Sequence, residues 1–363
     1  MQTILPLAQT VTPNQLESVA VLKKLASAGR QLAELKGLAA SIPRPGILIN
    51  TLVMQEAKDS SAIENIVTTH DELYKDDVLP EAGTNAAAKE VHRYRQALKV
   101  GYDLVKQTGL LTCNNIISIQ KQLEQNEAGF RKVPGTTLKD GAGNVVYTPP
   151  QSHEEIVALM TDLEKVINDS DVFPVDPLIK MALIHHRFET IHPFYDGNGR
   201  TGRIINVLYL VNEGLLDIPI LYLSRYIVTH KADYYRLLQK VRDQDSWEEW
   251  VLYMLTAIEQ TAAQTCLTVK AIYEALLDYK HRIRANHRFY NQDLINSLFT
   301  HPYTRISFIE RDLQVTRLTA TKYLDHLTED GFLEKQKNGR NSYYINVALK
   351  RILTDANLTE GSQ

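Results

Sequence analysis

The residues best suited to chemistry lie in one run, His192-Pro193-Phe194-Tyr195-Asp196-Gly197-Asn198-Gly199-Arg200-Thr201-Gly202-Arg203. Gly197 and Gly199 bracket Asn198 just ahead of a helical stretch. Glycines there let successive backbone N–H groups converge, and the helix start adds unpaired donors and the positive end of its dipole. That is a nest for an anion, most simply phosphate. Arg200 and Arg203 stand three apart on the first turn, so both can address the same bound anion. A positive charge at a helix N-terminus is unfavourable by roughly 0.3–1 kcal/mol, which a bound polyphosphate or carboxylate would offset. Asp196, one residue before the nest, is placed to hold a divalent cation bridging phosphate oxygens. His192, restrained by Pro193, has a reference pKa of about 6.5 and suits general-base work on a hydroxyl.

Two competing readings are weaker. His185 and His186 are adjacent and face different ways on a helix, one expected buried and the other solvent-facing, without the geometry of a zinc site. The P-loop pattern ending in Lys and Ser or Thr is absent.

The elements that must position this run read as helices. Apolar spacing predicts one from Leu16 to Leu38, ended by Pro43 and Pro45. Others follow around Leu52–Ala57, at 60–66, over Ala86–Gly109 and over Thr112–Glu124, with 71–84 reading as a loop. Residues 131–147 form two short extended arms around Asp140-Gly141-Ala142-Gly143, a β-hairpin in a helical region. An isolated hairpin is marginally stable, so it should pack on something or act as a flap. Helices resume over Glu154–Asn168, Asp176–Phe188, Arg200–Leu210, Thr229–Val241 and Ser246–Tyr273. Asp293–Ser297, Ile306–Asp312 and Leu318–Asp330 are three short helices, followed by arms at Phe332–Gln336 and Asn341–Ile345 around Lys337-Asn338-Gly339-Arg340. This is the outline of a winged helix-turn-helix, with Arg317, Thr319, Thr321 and Lys322 near the start of its third helix. A protein-binding module of the same shape is the alternative. The expected division is a helical extension at 1–45, a helical domain with a flap at 46–273, a winged helix at 274–352 and a disordered tail at 353–363.

Composition agrees. The chain has 363 residues, 44% hydrophobic and 23% charged, enough for more than one core. Disordered and fibrous classes are excluded. Residues 281–363 carry 12 Lys and Arg against 9 Asp and Glu, a mildly basic tail on an acidic body, so a nucleic-acid enzyme that wraps its substrate is disfavoured. Two distant cysteines, Cys113 and Cys266, imply neither a disulfide scaffold nor a thiolate metal site. Neither a signal peptide nor a long apolar run is evident, so the expectation is a cytoplasmic protein without membrane association.

The run from His192 to Arg203 resembles, without departure, the signature of the Fic (filamentation induced by cAMP) domain family, and the flap and helical body at 46–273 are similar to that fold. The resemblance implies an all-α Fic-like domain with a β-hairpin flap, followed here by a small α+β winged helix. It implies transfer of AMP from ATP to a Ser, Thr or Tyr hydroxyl of a target protein or of the chain itself. His192 would be the base, Asp196 would bind Mg²⁺, and Gly197, Asn198 and Gly199 would line the nest, with Asn198 fixing the α-phosphate. Arg200 and Arg203 would clamp the departing phosphates. Ser60-Ser61-Ala62-Ile63-Glu64-Asn65 resembles the family's inhibitory motif. Ser60 and Glu64 share a helix face, from which Glu64 can form a bidentate pair with Arg203. Tyr222, Tyr226 and Asn206 are candidate adenine contacts, and Tyr195 is orienting or exposed rather than catalytic. Removal of AMP by the same site is the enzymatic alternative. A nucleotide-sensing regulator binding duplex DNA is the non-enzymatic one, and a homodimer is a further partner in view.

Overall fold

A computed structural model describes residues 5–79, 86–338 and 341–355. In chain order the helices begin with α1 (Leu7–Thr10), α2 (Pro13–Leu16), α3 (Val19–Ala39), α4 (Pro45–Ile63), α5 (His70–Val78), α6 (Ala86–Thr108) and α7 (Cys113–Glu124). Strands β1 (Leu138–Lys139) and β2 (Val145–Tyr147) follow, then α8 (His153–Asn168), α9 (Pro177–Ile191), α10 (Asn198–Asn212), α11 (Leu223–Thr229), α12 (Lys231–Gln244) and α13 (Trp247–Asn286). The chain closes with α14 (Gln292–Thr300), β3 (Tyr303–Thr304), α15 (Ile306–Leu313), α16 (Arg317–Glu329), β4 (Leu333–Asn338), β5 (Asn341–Asn346) and α17 (Val347–Asp355). Two compact units result: residues up to 36 with 56–66 and 90–263, and residues 37–55 with 67–89 and 264 onward. The 273/274 boundary expected from sequence falls inside the 40-residue α13.

The first unit is built around α9 and α10. From Leu178 to Ile191 every residue of α9 is buried, the pattern of a helix walled in on all sides. That corrects the reading of its two histidines: His185 and His186 are both buried. His185 bonds Tyr234 Oη at 2.8 Å and His186 the Leu238 carbonyl at 3.1 Å. Burial pushes the His185 imidazole down to about 3, so it is neutral packing material. Helix α9 starts where the Asp176 carboxylate accepts the Leu178 N–H at 2.8 Å, with Pro177 in the first turn. Gly101 lets α6 approach closely: a Cβ there would collide with Leu208 Cδ1 of α10 and lie 2.8 Å from Ile119 Cδ1 of α7.

In the second unit α14, α15 and α16 accompany a three-stranded antiparallel sheet ordered β3-β5-β4, β3 lying between α14 and α15 in the chain and β4 and β5 pairing from Leu333↔Asn346 to Asn338↔Asn341. The three helices and the hairpin match the sequence reading, and β3 is an addition. Gly331, at φ 77°, ends the turn after α16. Arg317 and Lys322 are exposed on α16, while Lys335 is tied to Asp325 at 2.7 Å. Gly339 and Arg340 of the basic turn lie outside the described residues.

Three further expectations are corrected. Residues 70–78 are helical rather than loop, because Thr69 and Glu72 satisfy each other's exposed backbone N–H groups in a capping box while Leu73, Tyr74 and Val78 are buried. Of the short helix expected at 60–66, residues 60–63 are the end of the 19-residue α4 and 64–66 lie beyond it, 64 and 65 in a turn. Residues 353–355 complete α17 instead of opening a disordered tail, since Leu349 and Leu353 are buried; 356–363 lie outside the described residues.

Candidate active site

His192 stops α9. It adopts the left-handed conformation, φ 48° and ψ 59°, and its N–H reaches back to the Phe188 carbonyl at 2.9 Å, while Pro193 blocks a further helical turn. The half-buried imidazole is pushed down to about 4 by burial and by the Arg131 and Arg242 guanidiniums, with Glu64 acting the other way. It is therefore neutral near pH 7 and able to accept a proton.

The loop from 193 to 197 is locked by its own residues. Asn198, 3% exposed, accepts the Phe194 N–H at 2.9 Å on Oδ1 and donates from Nδ2 to the Phe194 carbonyl at 2.8 Å. Its side chain therefore shapes the nest from behind. Gly197 caps α10 at φ 77°. Asp196 is exposed; its Oδ1 accepts the Gly197 N–H at 2.7 Å. Among the described residues no group of three or more His, Cys, Asp and Glu side chains is placed to hold a metal ion. Asp196 is a hard-oxygen donor at the edge of the nest, with the Glu124 carboxylate close against Gly197.

The two arginines go to different partners. Arg203, 1% exposed, donates from Nε to Ser60 Oγ at 2.8 Å and from Nη2 to the Ser60 carbonyl at 3.0 Å and Glu64 Oε1 at 2.8 Å. The pair with Glu64 is a single bond from Nη2, not the bidentate one expected, because Ser60 occupies Nε and shares Nη2. The Glu64 carboxylate also lies over the nest: a Cβ on residue 199 would collide with Glu64 Oε1 and come within 3.0 Å of Arg203 Nη1. An anion already faces the place where a phosphate would sit. Arg200 instead is held between Glu90 at 2.5 Å and Glu124 at 2.8 Å, its side chain 6% exposed. Its charge is compensated within the protein.

Helix α4 carries a third group on the Ser60–Glu64 face. Glu56, 2% exposed, accepts the Ser224 N–H at 3.1 Å and the Tyr94 hydroxyl at 3.1 Å. Burial pushes its carboxyl up to about 7 against the pull of Ser224 and Arg203.

The hairpin is fastened beside His192. Arg131, buried, donates from Nε to the His192 carbonyl at 2.8 Å and from Nη2 to the Pro150 carbonyl at 2.8 Å. The Tyr195 hydroxyl oxygen accepts the Lys132 and Val133 N–H groups at 2.9 and 3.0 Å, an orienting contact. Tyr147 at the end of β2 donates to the Thr190 carbonyl at 3.0 Å and lies under the Arg242 guanidinium, 4.1 Å from ring centroid to Cζ. Val145 and Val146 stay exposed.

Matches to known families fall on these elements. The Fic/DOC family N-terminal model matches residues 22–103 and the Fic/DOC family model residues 110–210, half of the chain between them. The chain belongs to the Fic/DOC family. A further model, the C-terminal domain of SoFic-like protein adenylyltransferases, matches residues 276–349. The Fic chain is 31% identical over 129 residues to a protein adenylyltransferase, fic-1, of Caenorhabditis elegans, covering 34% of this chain and 23% of that one. It is 29% identical over 185 residues to a probable protein adenylyltransferase of Aquifex aeolicus, covering 49% and 54%. The chain thus spans between about a quarter and about half the length of these relatives. In fold it is similar to a Fic family protein from Desulfovibrio desulfuricans G20, with a TM-score of 0.56 at 20% identity over 93% of this chain and 98% of that one. A fragment of C. elegans Fic-1 gives a TM-score of 0.56 at 20% identity over 71% and 75%.

Within the Fic site the expected adenine contacts diverge. Asn206 is fully buried against His185 at 3.0 Å, which corrects its assignment. Tyr222 is buried, 4% exposed, whereas Tyr226 is half-buried, stacked on His230 at 4.0 Å and edge-on to Tyr253 at 5.2 Å. Sequence reading missed Tyr235, whose ring is 47% exposed on α12 and close enough to Glu64 and Arg203 to feel both charges. Its neighbour Tyr234 is buried against Trp250, so a Tyr-Tyr pair on an amphipathic helix was the available signal.

Proposed function

We propose that the chain transfers AMP from ATP to a hydroxyl of a protein side chain, and that Glu64 holds the site at rest. The observation carrying this reading is a carboxylate seated on Arg203 over the glycine nest, beside a neutral imidazole. In the transfer, the target hydroxyl oxygen bonds to the α-phosphorus, the bond from that phosphorus to the bridging oxygen breaks, and pyrophosphate leaves. His192 takes the hydroxyl proton. The N–H groups at the start of α10 and the Arg203 guanidinium stabilise charge on the transferring and departing phosphoryl groups. Arg203 serves this fully only when Glu64 swings away, because the carboxylate that accepts from Nη2 also lies against the nest and sets a negative charge where the phosphate would sit.

Asp196 fits Mg²⁺, a hard cation that takes one or two carboxylates and draws its remaining ligands from phosphate and water oxygens; bound there it would neutralise phosphate charge. The flap, anchored at Arg131 and Tyr147 with Val145 and Val146 exposed, is a surface for an extended segment of the target protein. Parallel incubations of the Glu64→Gly form with ATP labelled at the α- or the γ-phosphate test the reading. Label retained on protein from the first and none from the second supports it. Retention of γ-label, or of neither by this released form, contradicts it.

A further inference from the structure

We infer that Lys231 is the positioning residue of the inhibitory turn: it fixes the end of α4 so that Glu64 meets Arg203. The inference rests on the proposed role of Glu64.

Glu64 lies outside the last regular turn of α4, with its side chain 35% exposed, so packing of its own atoms does not fix its place. The backbone geometry does. Asn65 adopts φ 63°, a left-handed closing conformation that Asn tolerates better than most residues. A helix leaves its last four carbonyls without partners, and here each is accounted for. Ser61 O accepts the Glu64 and Ile66 N–H groups at 3.0 Å, and Ala62 O accepts the Asn65 N–H at 3.0 Å. Ser60 O accepts from Arg203 at 3.0 Å, and Ile63 O from Lys231 Nζ at 2.6 Å. Lys231 Nζ also reaches Asn65 Oδ1 at 3.2 Å, spanning the left-handed residue from both sides of Glu64. Two cations therefore grip the helix end, Arg203 from α10 and Lys231 from α12.

The placement of Lys231 goes against the preference of its own helix. It is the first residue of α12, where a positive charge faces the positive end of the dipole. At the end of α4, which has no basic residue in its last turn, the same charge is favourable. Its stabilising contacts are thus with the inhibitory turn. If phosphates recruit Arg203, Lys231 is the cation that remains on the helix end, and it sets how readily the carboxylate returns.

The test uses the full chain in four forms: wild type, Lys231→Met, Glu64→Gly and the double variant, with initial rates of AMP incorporation from α-labelled ATP and Mg²⁺. Loss of a charge-assisted bond of this kind should raise the Lys231→Met rate roughly 3- to 30-fold over wild type. Glu64→Gly and the double variant should agree within about twofold, because nothing is left to position. A damaged fold does not raise activity, so the gain separates positioning from general stability. Lys231→Gln is read in the same way should Lys231→Met lose its cooperative melt. A Lys231 rate at or below wild type, with Glu64→Gly raised, overturns the inference and leaves the role of Glu64 standing. An equal rise in both backgrounds also overturns it, since the effect would bypass Glu64. No rise in Glu64→Gly removes the inhibitory reading and this inference with it.

Discussion

Replacing Glu64 by Gly removes the carboxylate that, among the described residues, pairs with Arg203, while the bonds from Ser60 still hold the arginine. Ser60 still supplies a hydroxyl at 2.8 Å and a carbonyl at 3.0 Å, so the guanidinium keeps its buried position and gains a free N–H pointing at the nest. A hydrogen bond between charged groups contributes about 1.5–3 kcal/mol. The Glu64 side chain is 35% exposed against 1% for Arg203, so water screens one partner and the figure belongs nearer about 1–2 kcal/mol. With tenfold for every 1.4 kcal/mol, the competent fraction of molecules should rise roughly 5- to 30-fold. The assay is the initial rate of α-label incorporation into protein at saturating ATP and Mg²⁺, run beside Glu64→Gln, which keeps the volume and loses the charge and should fall between wild type and Glu64→Gly. A Glu64→Gly rate within about twofold of wild type would refute the argument that the carboxylate and phosphate compete for one guanidinium.

The pH profile should report the depressed imidazole of His192. At about 4 it stays neutral through mild acid, so kcat/KM of the Glu64→Gly form with Mg²⁺-ATP should hold level from pH 8 to about 5.5; a half-maximal point near the ordinary 6.5 would contradict this. Glu56, raised from 4.5 to about 7, holds its proton in the folded state where the unfolded chain has released it, so its contribution is full below 4.5 and is lost as pH rises to 7. Urea titrations at pH 5 and pH 8 should show Glu56→Gln losing about 3 kcal/mol less than wild type between the two; equal losses would count against a protonated Glu56. Gly101→Ala should cost about 1–3 kcal/mol by forcing Leu208 and Ile119 apart, measured as a lowered urea midpoint at unchanged slope.

The site was legible where its chemistry is contiguous. His192 through Arg203 carries the cap, the nest and the cation in one run, and Ser60 with Glu64, four apart, both reach Arg203 although Glu64 lies just past the end of α4. The partners of that run come from far along the chain and carry no local pattern. Glu90 and Glu124 hold Arg200 from 110 and 76 residues away, and Lys231 reaches Ile63 across 168. Nothing in the motif says that two arginines on one turn will face different carboxylates. Helix α5 was masked by its aspartates, although the Thr69–Glu72 capping box was present in the sequence. One of His185 and His186 was expected to face solvent, and both are buried, because alternation of faces fails on a helix enclosed on every side. The three short helices and the hairpin after α13 were readable because they are short and consecutive, and Asn291 and Thr316 cap the first and third helices.

The most direct test of the account is the intact mass of the Glu64→Gly chain and of its His192→Ala derivative after incubation with ATP and Mg²⁺ alone and with a cell lysate. The account predicts AMP adducts, on the chain or on lysate proteins, with Glu64→Gly and none above background with the double variant. Adducts of equal yield from both proteins would contradict the assignment of His192 as the proton acceptor, and their absence from both would contradict nucleotidyl transfer itself.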